Sequence, residues 1–342
     1  MKKILALLLA GATCLAVAPA MAQSKTLTIS WWGFNGDKLD QYIVKPFQEK
    51  CGCELVFETG NNADRLNKIK IRDGAGVDVA YFTDAYSQIG IKEGVFQKVD
   101  RSKIPNLAGL YDIAQAPQGE FGPAYSIGRV GIIYDSAKVK TPITSWNDLW
   151  KEDFKGQISL PGITTTAGPM MVMIAGTHAG VDAFADADAA FKSVEALKPN
   201  VVKNFNTGSE LVNLFSTGEI SVAVAQDFTL AQIQAAVPTA TWAELSDGAI
   251  ATLNTINIPK NAANVELAHE FINFVLDPAL QQTLAENGVD APVAKSVKLT
   301  PEQAKQWTYG ADVVASLRTV DYEKLNAAKD EWIDRWNEVF GM

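Results

Sequence analysis

Segments with the pattern of β-strands alternate with segments of helical periodicity along most of this 342-residue chain. The predicted strands are residues 26–32, 53–59, 77–83, 157–160, 201–205 and 220–225. The predicted helices between them include residues 64–72, 85–93, 182–197 and 208–216. Such alternation indicates an α/β fold with a mainly parallel sheet. Because the pattern starts again after the first three strands, and the length suits about two domains, we predict two α/β halves.

The stretch from residue 121 to residue 135 combines Gly-Pro turn chemistry with a strand pattern that contains several glycines. Glycine inside a strand often marks the close approach of a ligand or of another backbone. Arg129 lies in the middle, and burial of an unpaired cation is costly. We therefore predict a strand that crosses between two lobes, with Arg129 facing the cleft. An edge strand with a solvated arginine is the alternative.

Residues 250–258 form a second predicted strand that crosses between the halves. The expected lobe 1 contains residues 23–127 and 254–297, and lobe 2 contains residues 128–253 and 298–342. In this organisation the two crossing strands are the hinge, and the ligand cleft lies between the lobes.

The first 22 residues have the pattern of a secretory signal peptide. Lys2 and Lys3 precede an apolar run at residues 4–17, and residues 20–22 form a small-x-small cleavage site. We predict cleavage after Ala22 and an exported, soluble protein. The formal net charge of −9, without a basic stripe, argues against binding to nucleic acid or to an anionic membrane.

Two cysteines, Cys51 and Cys53, flank Gly52 in the predicted mature chain. Export permits a disulfide, but a bridge across one residue would be strained, so a free pair is the alternative. The pair lacks the four ligands of a structural zinc site, and we predict no bound metal.

Nothing in the sequence nominates a reaction or a cofactor. His178 and His269 are the only histidines, and we interpret both as structural. The chain contains no Gly-x-Ser-x-Gly elbow, no His-Glu-x-x-His pair and no phosphate-binding loop. A non-enzymatic binding protein is therefore the leading interpretation, and an exported enzyme on the same fold is the alternative.

Polar and aromatic residues follow several predicted strands at their carboxyl ends, where α/β proteins bind ligands. The candidate ligand-binding residues at these ends are Trp31, Trp32, Asp84, Tyr86, Thr164, Thr165, Thr166 and Asp227. For the threonines and aspartates, ordinary helix capping is the alternative. For the tryptophans it is core packing, and we expect one of them to face inward because neighbours on a strand point to opposite faces.

These residue types can bind both ends of a charged solute. Asp227 can pair with an ammonium group, on which Trp31 or Trp32 can stack. Arg129 can hold a carboxylate through a bidentate fork. The hydroxyls of residues 164–166, before a predicted helix, suit an anion.

Several motifs resemble the periplasmic solute-binding proteins of ABC importers, of the spermidine/putrescine-binding type. They are Trp31–Trp32–Gly33, residues 92–100 (KEGVFQKVD), 131–135 (GIIYD), 144–150 (TSWNDLW), 154–156 (FKG) and 258–262 (IPKNA). The resemblance implies a type II periplasmic-binding-protein fold of two lobes that close on a solute. It also implies a monomer in the periplasm that delivers a small-molecule ligand to a membrane permease.

This chain departs from the polyamine-binding pattern at positions that would contact the ligand. Residues 164–166 are threonines where that pattern has carboxylates, and Asn254 replaces an acid on the second crossing strand. Arg129 adds a positive charge. One acidic and one basic anchor suit a small zwitterion with an amine, such as γ-aminobutyrate, an amino acid or an aminophosphonate. A polyamine is the alternative ligand.

Overall fold

The computed structural model describes residues 25–33 and 36–341, so the predicted signal peptide at residues 1–22 lies outside the described residues. Ten strands form within these ranges. They are β1 Lys25–Trp31, β2 Cys53–Thr59, β3 Val79–Thr83, β4 Phe96–Gln97, β5 Ala124–Asp135, β6 Ile158–Pro161, β7 Val201–Phe205, β8 Val222–Gln226, β9 Ala240–Trp242 and β10 Ile250–Pro259. The short strands β4 and β9 were not predicted, since each spans only two or three residues.

Helices connect and cover the strands. They are α1 Gly36–Leu39, α2 Lys45–Cys51, α3 Asn62–Ile71, α4 Asp84–Lys92, α5 Asp112–Gln115, α6 Gly168–His178, α7 Ala187–Leu197, α8 Gly208–Thr217, α9 Leu230–Ala236, α10 Val265–Val275, α11 Pro278–Glu286, α12 Pro301–Ala304, α13 Ala311–Ala315 and α14 Tyr322–Phe340. A π-helical turn, Asp40–Val44, joins α1 to α2. Of the helices in the described ranges, none has the length and apolar character needed to cross a membrane.

The predicted helix at residues 182–197 begins five residues later than expected, at Ala187. Asp186 caps this helix, because its side chain accepts a hydrogen bond from the Ala189 N–H at 2.9 Å. The preceding residues form a turn in which Asp182 accepts from the Phe184 N–H at 3.0 Å. Aspartate side chains compete with helical hydrogen bonding in this way, which explains the shifted start.

The strands form one mixed sheet in the order β2-β1-β3-β10-β5-β8-β6-β7. The pairs at the two ends, β1 with β2 and β6 with β7, are parallel. The centre is antiparallel, because β10 pairs antiparallel with both β3 and β5. The expectation of a mainly parallel sheet is therefore wrong at the centre, where the two crossing strands run.

Two large buried clusters lie on either side of these crossing strands. The first core contains Ile127 of β5 and Leu253 of β10 together with residues of β1 and β3. The second core contains Val130 and Ile250 of the same two strands together with residues of α6, α7 and α14. Both strands therefore change cores over three residues. The lobe boundaries expected at 127/128 and 253/254 stay a prediction.

A disulfide joins Cys51 to Cys53, which answers the question left open by the sequence. It links the end of α2 to the start of β2 across Gly52, whose φ of 59° is left-handed. Glycine adopts this conformation without steric cost, as a helix C-terminus requires.

Gly122 sets the close approach of the chain entering β5 to β10. A Cβ at this position would lie 1.8 Å from the Ile256 carbonyl oxygen. We therefore expect Gly122→Ala to lower the free energy of unfolding by at least about 1–3 kcal/mol, since backbone atoms must move. Gly109→Ala is the control, because a Cβ there meets no atom within 4 Å. Urea denaturation of both variants checks this expectation, and equal stability of the two would contradict it.

Candidate ligand-binding site

One face of the paired crossing strands is polar where the two cores meet. Gly128 pairs with Thr252, and Ser126 pairs with Asn254, so all four point to one side of the sheet. The residues between them alternate to the opposite side, where Ile127 joins the first core. Gly128 and Asn254 keep partial exposure among buried neighbours. We call this surface the crossing face: Ser126, Gly128, Thr252 and Asn254.

Asp227 follows β8 and borders the crossing face. Its carboxylate accepts hydrogen bonds from the Thr308 hydroxyl and from the backbone N–H of Arg129. One of its oxygens would lie 3.1 Å from a Cβ on Gly128. Burial raises the pKa of Asp227, and the Thr308 hydroxyl and the charge of Arg129 oppose that rise.

Arg129 is a residue of β5 and lies next to Asp227. Strand alternation directs its side chain away from the crossing face, and the guanidinium carbon lies 4.7 Å from the centre of the Trp242 ring. Burial lowers the pKa of Arg129, while the charges of Asp227 and Glu244 oppose this. Its Nε is buried and has no hydrogen-bond partner. A buried guanidinium with an unused donor favours an incoming anion.

Asp84 occupies an equivalent position at the end of β3. Its Oδ2 accepts from the Leu253 N–H of β10 at 2.9 Å, as Asp227 accepts from the Arg129 N–H of β5. The side chain is buried, and burial raises the pKa of Asp84 to about 7. The two aspartates thus satisfy free N–H groups of the two crossing strands, each at the point where the neighbouring strand ends.

A cavity of about 300 Å³ adjoins Asp84. Its wall combines residues of α4, β10 and the start of α14, including Leu253, Tyr322 and Glu323, with Gln118 from the segment after α5. Burial raises the pKa of the Tyr322 hydroxyl, and the charge of the nearby Asp84 carboxyl raises it further. Gln118 Oε1 is buried without a hydrogen-bond partner. The cavity therefore offers acceptor groups rather than positive charge.

Asp290, in the loop after α11, is an acidic residue that the sequence reasoning missed. Its carboxyl lies near the Ser126 hydroxyl of the crossing face, which favours the ionised form. Burial raises the pKa of Asp290 to about 7, although the Ser126 hydroxyl opposes the rise. The only signal in the sequence is an acid between the apolar residues Val289 and Ala291.

Trp32 contacts two tyrosines, Tyr81 and Tyr125, and both of these lie near Asp290. Its ring centre is 6.1 Å from that of Tyr81 and 6.4 Å from that of Tyr125. The indole N–H of Trp32 donates to Asn62 Oδ1 at 3.0 Å. Trp31 points the other way and is 6% exposed in the first core. One tryptophan of the pair therefore faces inward, as alternation predicts.

Arg65 of α3 is a second residue that the sequence reasoning missed. It is 1% exposed and donates to the Tyr81 carbonyl at 2.6 Å and to the Gly60 carbonyl at 2.9 Å. Its guanidinium lies 5.0 Å from the Trp32 ring, and burial lowers its pKa to about 10. Arg65 thus packs against the Trp32 ring, while its N–H groups donate to backbone carbonyls of the protein.

The remaining candidate residues have other surroundings. Tyr86 packs against the small apolar cluster formed by α3, α4 and β3. Thr164 is exposed and Thr166 is half-exposed. The Thr165 hydroxyl donates to the Gly162 carbonyl at 2.8 Å and accepts from the Gly168 N–H at 3.2 Å. Thr165 therefore closes the loop before α6, which matches the capping alternative.

Both histidines have structural surroundings. His269 is buried, accepts from the Asp100 N–H and contacts the Val265 carbonyl, each at 2.8 Å. The His178 ring stacks on Trp150 with ring centres 4.0 Å apart. Within residues 25–33 and 36–341, no group of three His, Cys, Asp or Glu residues is placed to hold a metal ion.

The chain belongs to the bacterial extracellular solute-binding protein family, whose model matches residues 42–311. It is 26% identical to the spermidine/putrescine-binding periplasmic protein of Escherichia coli K12, over 94% of this chain and 98% of that one. The resemblance to periplasmic solute-binding proteins is therefore confirmed at the family level.

Solved structures show the same fold. A crystal structure of an ABC transporter from Clostridium perfringens has a TM-score of 0.87 and 41% identity, over 92% of this chain and 99% of that one. The Atu4243-GABA receptor has a TM-score of 0.76 and 18% identity, over 92% and 97%. The predicted type II periplasmic-binding-protein fold is confirmed by these similarities.

The buried carboxyl of Asp84 predicts a pH-dependent stability. Its pKa is about 7 in the folded protein and about 4 in the unfolded chain. The folded state therefore holds a proton that the unfolded state has lost between these values, and stability falls as pH rises through this window. The slope is at most about 1.4 kcal/mol per pH unit.

Asp84→Asn should remove this contribution. We expect the free energy of unfolding of the wild type, minus that of the variant, to fall as pH rises from about 4 to about 7 and to level off above. Urea titrations of both proteins across this range measure the difference. Parallel stability curves would contradict the assignment.

Proposed function

We propose that this protein is the exported substrate-binding component of an ABC importer and that it binds a small amine-containing zwitterion beside Arg129 and Asp227, where β8 ends. The observation that carries the proposal is the position of Arg129 beside Asp227, with a buried Nε that lacks a hydrogen-bond partner. A solute with one anionic and one cationic group can pair with both Arg129 and Asp227, whose opposite charges lie close together.

In this proposal the guanidinium of Arg129 takes the carboxylate or phosphonate, and Asp227 takes the ammonium. Asn254 and Thr252 supply neutral hydrogen-bonding groups on the crossing face. Trp32 forms a wall, and a cation beside its ring gains about 0.5–2 kcal/mol. We assign no ligand contact to Trp31 or Tyr86, which pack in or against apolar clusters.

Ligand binding would close the two predicted lobes by a hinge motion about β5 and β10. Closure requires ligand contacts that are stronger in the closed state than in the open one. The closed receptor, a monomer in the periplasm after cleavage behind Ala22, would then deliver its solute to a membrane permease. It carries out no reaction on that solute.

A polyamine is the second candidate, and the carboxyls of Asp84 and Asp290 favour it. No lysine or arginine in the described part of the chain forms an ion pair with either of them. A dication would supply the positive charge that both carboxyls lack when ionised. The E. coli relative named above is a spermidine/putrescine-binding protein, which supports the same candidate.

A ligand screen on protein that has been unfolded, dialysed and refolded separates the two candidates. We expect thermal stabilisation by γ-aminobutyrate, α-amino acids or aminoethylphosphonate, and none by putrescine or spermidine. Ligand at a hundred times its dissociation constant adds about 2.7 kcal/mol, which corresponds to several degrees at most. Stabilisation by polyamines alone would overturn the zwitterion proposal.

Arg129→Ala tests the anion site. We expect a loss of about 10–150-fold in affinity for the zwitterion, because a charge-assisted hydrogen bond contributes about 1.5–3 kcal/mol. Putrescine binding should not weaken. Arg101→Ala, at an exposed arginine, is the matched control. Calorimetric titration measures each affinity, and equal zwitterion binding by both variants would show that Arg129 does not hold the anion.

A further inference from the structure

The hydrogen bond between Thr308 and Asp227 joins two parts of the chain that lie far apart in sequence. Thr308 is in the loop between α12 and α13, and it is fully buried. Its hydroxyl donates to Oδ2 of Asp227, the first residue of the turn that follows β8. The contacts of each partner show that the two sides of this bond belong to different cores.

The loop that carries Thr308 is attached to the first core on both sides of that residue. Trp307 packs against this core, and its indole N–H donates to the Ala285 carbonyl of α11 at 3.1 Å. Tyr309 packs there too, and its hydroxyl donates to the Val297 carbonyl at 2.8 Å. These contacts fix the position of the Thr308 hydroxyl relative to the first core.

Asp227 is attached to the other half of the molecule. Strand β8 pairs with the later part of β5, and Val222 and Val224 of β8 belong to the second core. The Thr229 hydroxyl donates to the Gln226 carbonyl at 2.7 Å and closes the turn that carries the aspartate. The hydrogen bond to the Asp227 carboxylate therefore connects the first core with the second.

The chain that carries Thr308 reaches the second core only further on. Val314 still belongs to the first core, whereas Val320 packs against the second. Between them, Arg318 forms a β-bridge with Ile250 at the start of β10. The segment around Arg318 is thus a third connection between the cores, beside the two crossing strands, and Thr308 lies on its first-core side.

A hinge motion that separates the cores would pull the Thr308 hydroxyl away from Asp227. Each partner is fixed to its own core, so the bond cannot follow the motion without breaking. A hydrogen bond to a charged group changes an equilibrium by about tenfold or more. The bond therefore favours the arrangement in which the two cores meet at Asp227.

We propose that Thr308 is the latch of the binding site: it moves with the first lobe and holds Asp227 of the second lobe when the lobes close. This inference rests on the proposed function and adds the regulation of its ammonium site. Opening exposes the carboxylate to an incoming ammonium group, and closure restores the bond to Thr308. A carboxylate accepts several hydrogen bonds, so solute and latch can share it. The proposal moves residues 298–314 from the predicted lobe 2 to lobe 1.

Distances between spin labels on the two lobes test the latch without a ligand. Glu270→Cys and Lys192→Cys place the labels at exposed positions of α10 and α7, which pack on the first and the second core. Cys51 and Cys53 form a disulfide and do not take the label. We expect Thr308→Val to raise the ratio of long to short distances about tenfold, because valine cannot donate a hydrogen bond.

Matched variants separate the hydroxyl from other effects of the substitution. Thr308→Ser keeps the donor and should give the wild-type distances, as should Thr141→Val at an exposed threonine. An opened Thr308→Ser protein would show that the hydroxyl is not the latch. Asp227→Ala breaks the same bond from the other side and should open the protein too, and adding Thr308→Val should open it no further. Should Thr308→Val fail to fold, wild-type distances in Asp227→Ala would overturn the proposal.

Calorimetric titration with γ-aminobutyrate separates this proposal from the proposed function. We expect Thr308→Val to weaken binding by up to about tenfold, since the closed state is less populated. If the ligand-free distances of Thr308→Val equal those of the wild type, the latch is wrong, whether or not a zwitterion binds. If the distances lengthen and no zwitterion binds to the wild type, the latch stands and the proposed zwitterion receptor is wrong.

Discussion

The antiparallel pairing of β5 with β10 is the contact on which the rest of the structure depends. Both strands pass from one buried core to the other. Each extends beyond the end of the strand that pairs with its outer edge. Asp84 and Asp227 accept the N–H groups that β3 and β8 leave unpaired at those points. Backbone groups buried without a partner are costly, so these two carboxyls complete the sheet where no strand continues.

The same arrangement places three ionisable side chains, Asp84, Asp290 and Arg129, where burial limits their contact with water. Asp84 and Asp290 resist ionisation, and Arg129 keeps one donor unused. Removing charged groups from water is unfavourable unless opposite charges and hydrogen bonds replace the solvent. A charged solute can supply both, which is how the proposed binding would stabilise these side chains. This links the strand crossing directly to the receptor function that the family suggests.

Local patterns predicted most of the elements, and long-range contacts explain the residues that were missed. Strands β2 and β7 have the predicted bounds, because residue alternation and Gly or Pro stops are local signals. Asp290 carries no such signal, since its loop meets Ser126 only after the chain has folded. Arg65 lies on α3 beside Leu66 and Ile69, which are buried too, and no local pattern marks a cation as part of a buried face. Thr165 is the opposite case. Its position in a polar loop at a strand end predicted a ligand contact, but its hydroxyl donates to the Gly162 carbonyl of the same loop.

Hydrogen–deuterium exchange with and without γ-aminobutyrate tests the central claim that the solute binds across the paired strands. Exchange reports the free energy of local opening, which a bound ligand raises. We expect slower exchange in peptides that cover residues 124–129, 226–229 and 250–254. Unchanged exchange in these peptides, with protection confined to the surface depression at Glu58 and Arg72, would contradict the account.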